Sequence, residues 1–396
     1  MLLSKMLERL IKSGTLIIID HKERKHRFSG RGEDPIVTMK FKSQQIERRL
    51  IMNPSMALGE GYMEGFWTPE DCSLFDVLNV IGKNISISGN PSNYSFLNKL
   101  LFPLRYIQQY NPVTRAHRNV AHHYDLSGAM YDLFLDEDRQ YSCAYYAQAN
   151  DSLDTAQLNK KRHIAKKLCL EQGQKVLDIG SGWGGLALFL AKEYGVSVTG
   201  LTLSNEQHAV AEQRAAEAGL SERVKFYLRD YRDQSDTFDR IVSVGMFEHV
   251  GVNHFDQYFD KVLNLLTDDG VALIHTIGRM ETPSITDPWI QKYIFPGGYI
   301  PALSETLSAI EKSGLWITDI ETLRLHYALT LSDWRKRFVE NRDKAAELYD
   351  EKFCRMWEYY LCVSEISFRY LRNVVFQVQL TKNQETLPIT RQYLWN

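Results

Sequence analysis

The stretch Val176-Leu-Asp-Ile-Gly-Ser-Gly-Trp-Gly-Gly185 is an apolar run that passes into a glycine-rich turn, and Leu186-Ala-Leu-Phe-Leu-Ala191 continues it in a helical pattern. Gly180, Gly182 and Gly185 keep the G-x-G-x-x-G spacing, in which missing side chains let the backbone turn sharply and approach a nucleotide-like ligand. Asp178 stands two residues before the first glycine, where a carboxylate can meet a cationic or hydroxyl-bearing group. A nicotinamide enzyme places an acid about 20 residues further on to hold the ribose. Here the next strand, Val196-Ser-Val-Thr-Gly-Leu201, leads into Thr-Leu-Ser-Asn-Glu-Gln207 with no acid at its tip. That difference shifts the expected ligand from a nicotinamide dinucleotide towards S-adenosylmethionine.

Elements must gather these residues. From Gly173 the pattern alternates between strand and helix, as in a doubly wound sheet. It predicts strands at Lys175–Ile179, Ser197–Leu201, Val224–Leu228, Arg240–Gly245 and Val271–Ile277, with helices near 184–194, 205–218 and 255–266. Ligands of such sheets bind at the carboxyl ends of the strands, where the strand order reverses. Asp178, Thr202, Ser204, Gln207, Asp230, Glu248 and His275 all fall near those ends. Residues 281–310 and 331–380 read as additions to this core, the second helical and aromatic.

Residues 1–83 read as a small α+β domain: an amphipathic helix, Met1 to Lys12; strands Thr15–Asp20 and Pro35–Phe41; a helix Gln44–Met52; a glycine- and aromatic-rich packing stretch, Met56–Trp67; and a helical pattern from Ser73 to Lys83. Polar Asn84–Ser95 is the expected linker, which leaves 96–396 for the catalytic domain. A length of 396 residues exceeds what one hydrophobic core usually serves. Lysine plus arginine number 47 against 49 acids, which excludes a globally electrostatic nucleic-acid binder. The five cysteines, Cys72, Cys143, Cys169, Cys354 and Cys362, lack paired short spacings and fit a reducing cytoplasm rather than a disulfide framework or zinc site. No apolar run approaches the ~20 residues that span a bilayer, so the protein is expected to be soluble or peripheral. The first helix either docks on its own domain or meets a membrane. Lys22, Arg24, Lys25 and Arg27 form either a solvated turn or a contact to phospholipid headgroups.

Six ordered motifs, His123-Tyr-Asp-Leu-Ser127, Tyr141-Ser-Cys-Ala-Tyr-Tyr146, Leu177-Asp-Ile-Gly-Ser-Gly-Trp-Gly184, Gly200-Leu-Thr-Leu-Ser204 with Gln207, Met246-Phe-Glu-His-Val-Gly251 and Leu273-Ile-His-Thr-Ile-Gly278, resemble the cyclopropane-fatty-acid synthases and the related mycolic-acid cyclopropane synthases. The likeness covers about 115–396, and Leu58-Gly-Glu-Gly-Tyr-Met63 resembles the extra N-terminal domain of the phospholipid-modifying members. Ser181 stands where many of them carry Cys; a serine leaves the glycine turn intact.

The resemblance implies a Rossmann-like class I S-adenosylmethionine-dependent methyltransferase domain with helical insertions, preceded by a small α+β domain. The implied reaction adds a methylene bridge to cis double bonds of unsaturated acyl chains in membrane phospholipids, by methyl transfer to the alkene, a carbocation, and deprotonation by bound bicarbonate. The implied bicarbonate site is Cys143, Glu248, His275, the backbone of Ile277, and Tyr327 in His326-Tyr-Ala-Leu-Thr330. The implied S-adenosylmethionine contacts are Tyr141, Ser142, Asp178, Gly180, Gly182, Gly184, Thr202, Ser204, Gln207, Asp230 towards adenine, and Tyr231. A cytoplasmic enzyme peripheral to the membrane and dimeric through its N-terminal domain is also implied. Physical chemistry supports such a set: an alkene is a poor nucleophile, so orientation in a dry site must supply ~7–11 kcal/mol. Aromatic faces at Tyr141, Tyr145, Phe247, Phe295 or Tyr327 would each stabilise a cation by ~0.5–2 kcal/mol. Alternatives are a methyl-branched or methylene product, methylation of a small amine, or a non-catalytic lipid-binding protein.

Other features favour plainer readings. His117, His122 and His123 lack accompanying ligands at metal spacing. Lys160-Lys-Arg-His-Ile-Ala-Lys-Lys167 reads as a solvated basic helix face. Trp357, Tyr359, Tyr360, Phe368 and Tyr370 read as core rather than an acyl groove.

Overall fold

The computed structural model describes residues 2–88 and 127–395, and their contacts gather them into two units. The motif His123–Ser127 except for Ser127, the histidines 117, 122 and 123, and residues 89–95 of the expected linker lie outside the described residues.

One unit contains the described residues of Met1–Pro103 together with Ile285–Phe295 and Leu331–Asn373. Its sheet has the order β2-β1-β3-β4, with β1 Ser13–Ile19, β2 Lys25–Ser29, β3 Arg31–Phe41 and β4 Trp67–Glu70. The register pairs Leu16 with Val37 and Ile18 with Met39, so the two-residue period lines one buried apolar face. The helix Leu2–Leu10 brings Leu3 and Leu7 to Ile18, Phe28 and Phe41, the docked alternative for that stretch. The helix Pro54–Met63 explains the glycine-rich stretch: a Cβ on Gly59 would lie 2.3 Å from the Trp289 indole.

Two boundaries differ from expectation. The helix Leu74–Ile87, capped reciprocally by Ser73 and Asp76, runs through the first residues of the expected linker. Asn84 looks like a linker residue by type, but its buried side chain accepts from the backbone amides of Lys12 and Ser13 at 2.6 and 2.9 Å and fixes the start of β1. Residues 331–373 gather with the N-terminal residues and not with the doubly wound core. The buried face of the helix Glu351–Tyr370 meets the N-terminal helices, with Ile366 filling the space left by Gly82 and the Tyr370 hydroxyl donating to Asn79 at 2.9 Å. Of the five aromatic residues read as core, Trp357, Tyr359, Tyr360 and Phe368 are buried and Tyr370 is half-buried.

The second unit contains the described residues of Leu104–Ser284, Pro296–Thr330 and Val374–Asn396. Its seven-stranded sheet has the order β10-β11-β9-β8-β5-β6-β7, formed by β5 Lys175–Ile179, β6 Ser197–Thr202, β7 Val224–Leu228, β8 Phe238–Val244, β9 Leu266–Arg279, β10 Trp316–Leu323 and β11 Asn373–Thr381. β5 to β9 pair in parallel, and β10 runs antiparallel to β11. Leu177, Val242 and Leu273 are fully buried, as expected of strands covered by helices on both faces. Leu153–Leu168, Gly185–Tyr194 and Asn205–Glu217 supply the covering helices on one face, and Phe255–Leu265 and Leu303–Ser313 on the other. β6 and β7 extend from one side of β5 and β8 and β9 from the other, so the strand order reverses at β5 and opens a crevice at its carboxyl end. β11 falls in the stretch expected to be helical. Its fully buried Gln377 and Gln379 break the apolar run; they are tolerated because Gln377 meets His275 and Gln379 donates to the Lys167 carbonyl.

Candidate active site

A cavity of about 160 Å³ lies at the carboxyl ends of β5, β6 and β8. Its floor is the turn after β5. There the amides of Gly180 and Ser181 both donate to the Leu201 carbonyl at 2.9 Å, which stitches the turn to β6. Gly182 has φ +54°, and a Cβ on it would meet no protein atom within 4 Å; the space beside it is open to a ligand. Asp178 is 1% exposed, and its Oδ2 has no hydrogen-bond partner. Burial pushes its carboxyl up to about 7, while the charge of Lys160 acts in the opposite direction. A buried carboxylate oxygen beside open space suits a cationic or hydroxyl-bearing ligand, so these residues fit S-adenosylmethionine.

Tyr141, Ser142, Asp178, Gly180, Gly182, Thr202, Gln207, Asp230 and Tyr231 all line the cavity. Gly184 and Ser204 do not appear in its wall. Gly184, at φ +81°, makes room for Phe226, whose ring would lie 2.6 Å from an added Cβ. Ser204 caps the helix Asn205–Glu217 by accepting from the Gln207 amide. Both therefore shape the wall from behind. Thr202 donates to Gln207 Oε1 at 2.9 Å and orients that amide. Asp230 is gripped by Arg232 at 2.8 and 2.7 Å, so its carboxylate reaches the cavity already ion-paired.

Of the residues implied for bicarbonate, Glu248 follows β8, His275 and Ile277 lie on β9, and none of Cys143, Glu248, His275, Ile277 and Tyr327 lines the cavity itself. Glu248 sits in the short turn Phe247–His249, while Met246, His249 and Val250 on either side of it line the cavity. Glu248 Oε1 accepts from the Ile277 amide at 2.5 Å, and Oε2 has no partner. Burial pushes its carboxyl up to about 7. His275, 2% exposed, meets Gln377 through Nδ1 at 3.1 Å, and its Nε2 has no partner. Burial, with the charges of Lys160, Lys167 and His163, holds it well below the usual imidazole range, hence neutral. The Ile277 N–H goes to Glu248, and its carbonyl accepts from Thr276 Oγ1 at 3.0 Å. Ile277 thus aims Glu248. Cys143 is buried, with its thiol pushed up by desolvation. The next residue, Ala144, donates to Thr330 on the helix His326–Glu340, whose first turn carries buried Tyr327.

Among the expected cation-facing aromatics, Tyr141 lines the cavity. Phe247 is core, packed on Phe255, Tyr258 and Phe259. Tyr145 is stacked between His163 and His326 at 4.3 and 4.8 Å, and Phe295 packs on Tyr360.

The basic helix Leu153–Leu168 departs most from its sequence reading. Lys160, Lys161 and Lys167 are 0%, 8% and 1% exposed. Lys161 pairs with Asp138 and Lys167 with Glu321, both at 2.6 Å. Trp183, Met246 and His249 of the quoted motifs also line the cavity, as do Arg139, Gln140, Arg229 and Arg232, which no motif contains. Only the adjacency of Arg139 and Gln140 to Tyr141, and of Arg229 and Arg232 to Asp230 and Tyr231, signals them.

Residues 112–378 match the family described as mycolic acid cyclopropane synthetase. The chain belongs to that family. It is 38% identical to the cyclopropane-fatty-acyl-phospholipid synthase of Escherichia coli (strain K12) over 349 residues, covering 88% of each chain. It is 38% identical to the tuberculostearic acid methyltransferase UfaA1 of Mycobacterium tuberculosis over 337 residues, covering 82% of this chain and 78% of the relative. Among solved structures, the cyclopropane synthase MmaA2 from Mycobacterium tuberculosis superimposes with a TM-score of 0.65 at 32% identity, covering 68% of this chain and 99% of that one. The mycolic acid cyclopropane synthase CmaA1 complexed with SAH and CTAB gives 0.64 at 32% identity, covering 69% and 99%. The fold is accordingly that of the class I S-adenosylmethionine-dependent methyltransferases. Among the described residues no helix is long and apolar enough to cross a membrane, and no group of His, Cys, Asp and Glu is arranged to hold a metal ion.

Proposed function

We propose that this enzyme transfers a methylene group from S-adenosylmethionine to cis double bonds of unsaturated phospholipid acyl chains, forming cyclopropane rings. The observation that carries the reading is Glu248: a buried carboxyl with an unpartnered oxygen, in a turn whose neighbours line the cavity, held by the amide of Ile277 two residues along β9 from a neutral histidine with an unpartnered nitrogen. Bound in the cavity, S-adenosylmethionine supplies an electrophilic methyl group. Asp178 and the glycine turn hold its methionine end, Thr202 and Gln207 the ribose region, and Asp230 the adenine. The buried wall keeps water from the electron-deficient carbon that follows methyl addition.

Ring closure needs a proton taken from the new methyl group, for a net gain of CH₂. Glu248 and His275 supply two polar atoms suited to a small oxyanion carrying its own proton, which matches bicarbonate. Cys143 and Tyr327 complete that site. A general base of this kind contributes typically 10²–10⁴-fold. The reading extends to peripheral attachment at a phospholipid surface and to a homodimer, which vesicle co-sedimentation and light scattering test separately.

The deciding experiment incubates the protein with S-adenosylmethionine and vesicles of unsaturated phospholipid, followed by mass spectrometry and proton NMR of the released fatty acids. Ring protons are expected, and none with fully saturated vesicles. A methyl-branched or methylene chain would instead place the chain with relatives such as the tuberculostearic acid methyltransferase, to which it is equally similar by identity. No lipid product, with methylation of an added amine, would overturn the lipid reading.

A further inference from the structure

Lys160 is fully buried, yet no carboxylate lies within ion-pair distance of it among the described residues. Its ammonium donates instead to two neutral groups, Gln140 Oε1 and Ser142 Oγ, both at 2.8 Å. One turn earlier on the same helix, Gln157 donates to the carbonyls of Gln140 and Ser142 at 3.1 and 3.0 Å. The irregular segment Gln140–Ser142 lines the cofactor cavity. Gln157 thus fixes its backbone and Lys160 its side chains. Anchoring alone does not require a charge, because a buried ion costs several kcal/mol to desolvate and an apolar or neutral residue of similar volume fills such a place at least as well.

The charge has a definite surrounding. Asp136, Asp138, Lys161 and Cys143 act on Lys160, and its own charge reaches Asp178 in the cavity and His275 in β9, where the pairing with β8 ends. Desolvation lowers the ammonium to about 8, so at neutral pH it is still mostly protonated.

We propose that Lys160 is a positioning residue of the active site: from behind the cavity wall it fixes Gln140 and Ser142 and supplies a positive charge that acts on Asp178, preparing that carboxylate for the cationic end of S-adenosylmethionine. This rests on the reading of the cavity as the S-adenosylmethionine site. The helix Leu153–Leu168, with its lysine turned inward, is then part of the binding machinery.

Calorimetric titration of the full chain with S-adenosylmethionine from pH 5.5 to 8.5 tests it. Wild-type protein should bind, with affinity falling as the pH drops and Asp178 takes up a proton. Lys160→Met should bind about 10-fold or more weakly at pH 7, and the midpoint of its pH dependence should move to higher pH, because the charge favouring ionised Asp178 is gone. Lys160→Arg should keep the wild-type midpoint. If Lys160→Met does not fold, Lys160→Gln carries both readouts. An unmoved midpoint in a folded neutral variant overturns the proposal, whatever the affinity. No binding by the wild-type protein overturns the cavity reading itself, and the proposal with it.

Discussion

At the end of β5, Asp178 is 1% exposed, and at the end of β8, Glu248 is 8% exposed. Burial pushes both carboxyls up to about 7. Their surroundings differ. Asp178 lines the cavity and feels one buried ammonium, Lys160, so an incoming cation completes its neutralisation. Glu248 has a hydrogen bond from the Ile277 amide but no cation among the influences on it, and His275, two residues before Ile277 on β9, is neutral. In the reading proposed above, the same desolvation suits one carboxyl to hold a charged ligand and the other to exchange or share a proton. A perturbed titration nominates a group for function, and the company of the group suggests its task.

The comparison can be broken most sharply at Glu248. Glu248→Gln keeps the Ile277 hydrogen bond in shape but removes the titratable proton, so turnover should fall about 10²-fold or more while S-adenosylmethionine affinity stays within about 3-fold. A full-rate variant in a radiolabelled methyl-transfer assay would remove Glu248 from the mechanism. Asp178→Asn should show the reverse. Replacing a charge-assisted hydrogen bond by a neutral one costs about 1–1.5 kcal/mol, so binding should weaken about 10-fold, with turnover at saturating cofactor little changed. Equal losses in both variants would erase the distinction between the two carboxyls.

Stability offers a third measurement. Glu248 has its folded pKa raised from 4.5 to about 7, so between those values the folded state binds more protons than the unfolded one, and the group's contribution to stability declines as pH rises through that window. Glu248→Gln removes this term. In ligand-free, bicarbonate-free buffer its melting temperature should match wild type near pH 4.5 and exceed it near pH 8, by about 2–4 °C per kcal/mol gained. A gap that does not change with pH would contradict the burial argument. The smallest effect is expected at Ser181, whose hydroxyl donates to the Leu201 carbonyl at 3.3 Å from behind the glycine turn. Ser181→Cys should bind S-adenosylmethionine within about 2-fold of wild type, because the turn rests mainly on the Gly180 and Ser181 amides.

Much of this is legible in the sequence. The strand, glycine turn and helix around Asp178 are local, and their φ requirements are met by glycine alone. The parallel strands β5 to β9 declared themselves through apolar runs separated by helical periods. The lysines of Leu153–Leu168 were misread because helical periodicity counts charge as exposure. Lys160, Lys161 and Lys167 face inward, where hydroxyl, amide and carboxylate partners distant in sequence accept their bonds. β11 was missed for the same reason, since Gln377 and Gln379 find their partners on other elements.

By itself the sequence determined the donor side of the chemistry: a glycine turn with Asp178 ahead of it and no ribose acid after β6 specifies a nucleotide-like cavity from a single supersecondary unit. The tertiary structure decided the rest. Which of Gly184, Ser204, Ile277 and Phe247 touch the cavity and which support it depends on packing against Phe226, Gln207, Glu248 and Phe255. The protonation of Glu248, His275 and Lys160 is set by desolvation and by charges from other elements, which are properties of a folded neighbourhood and of no single stretch of chain.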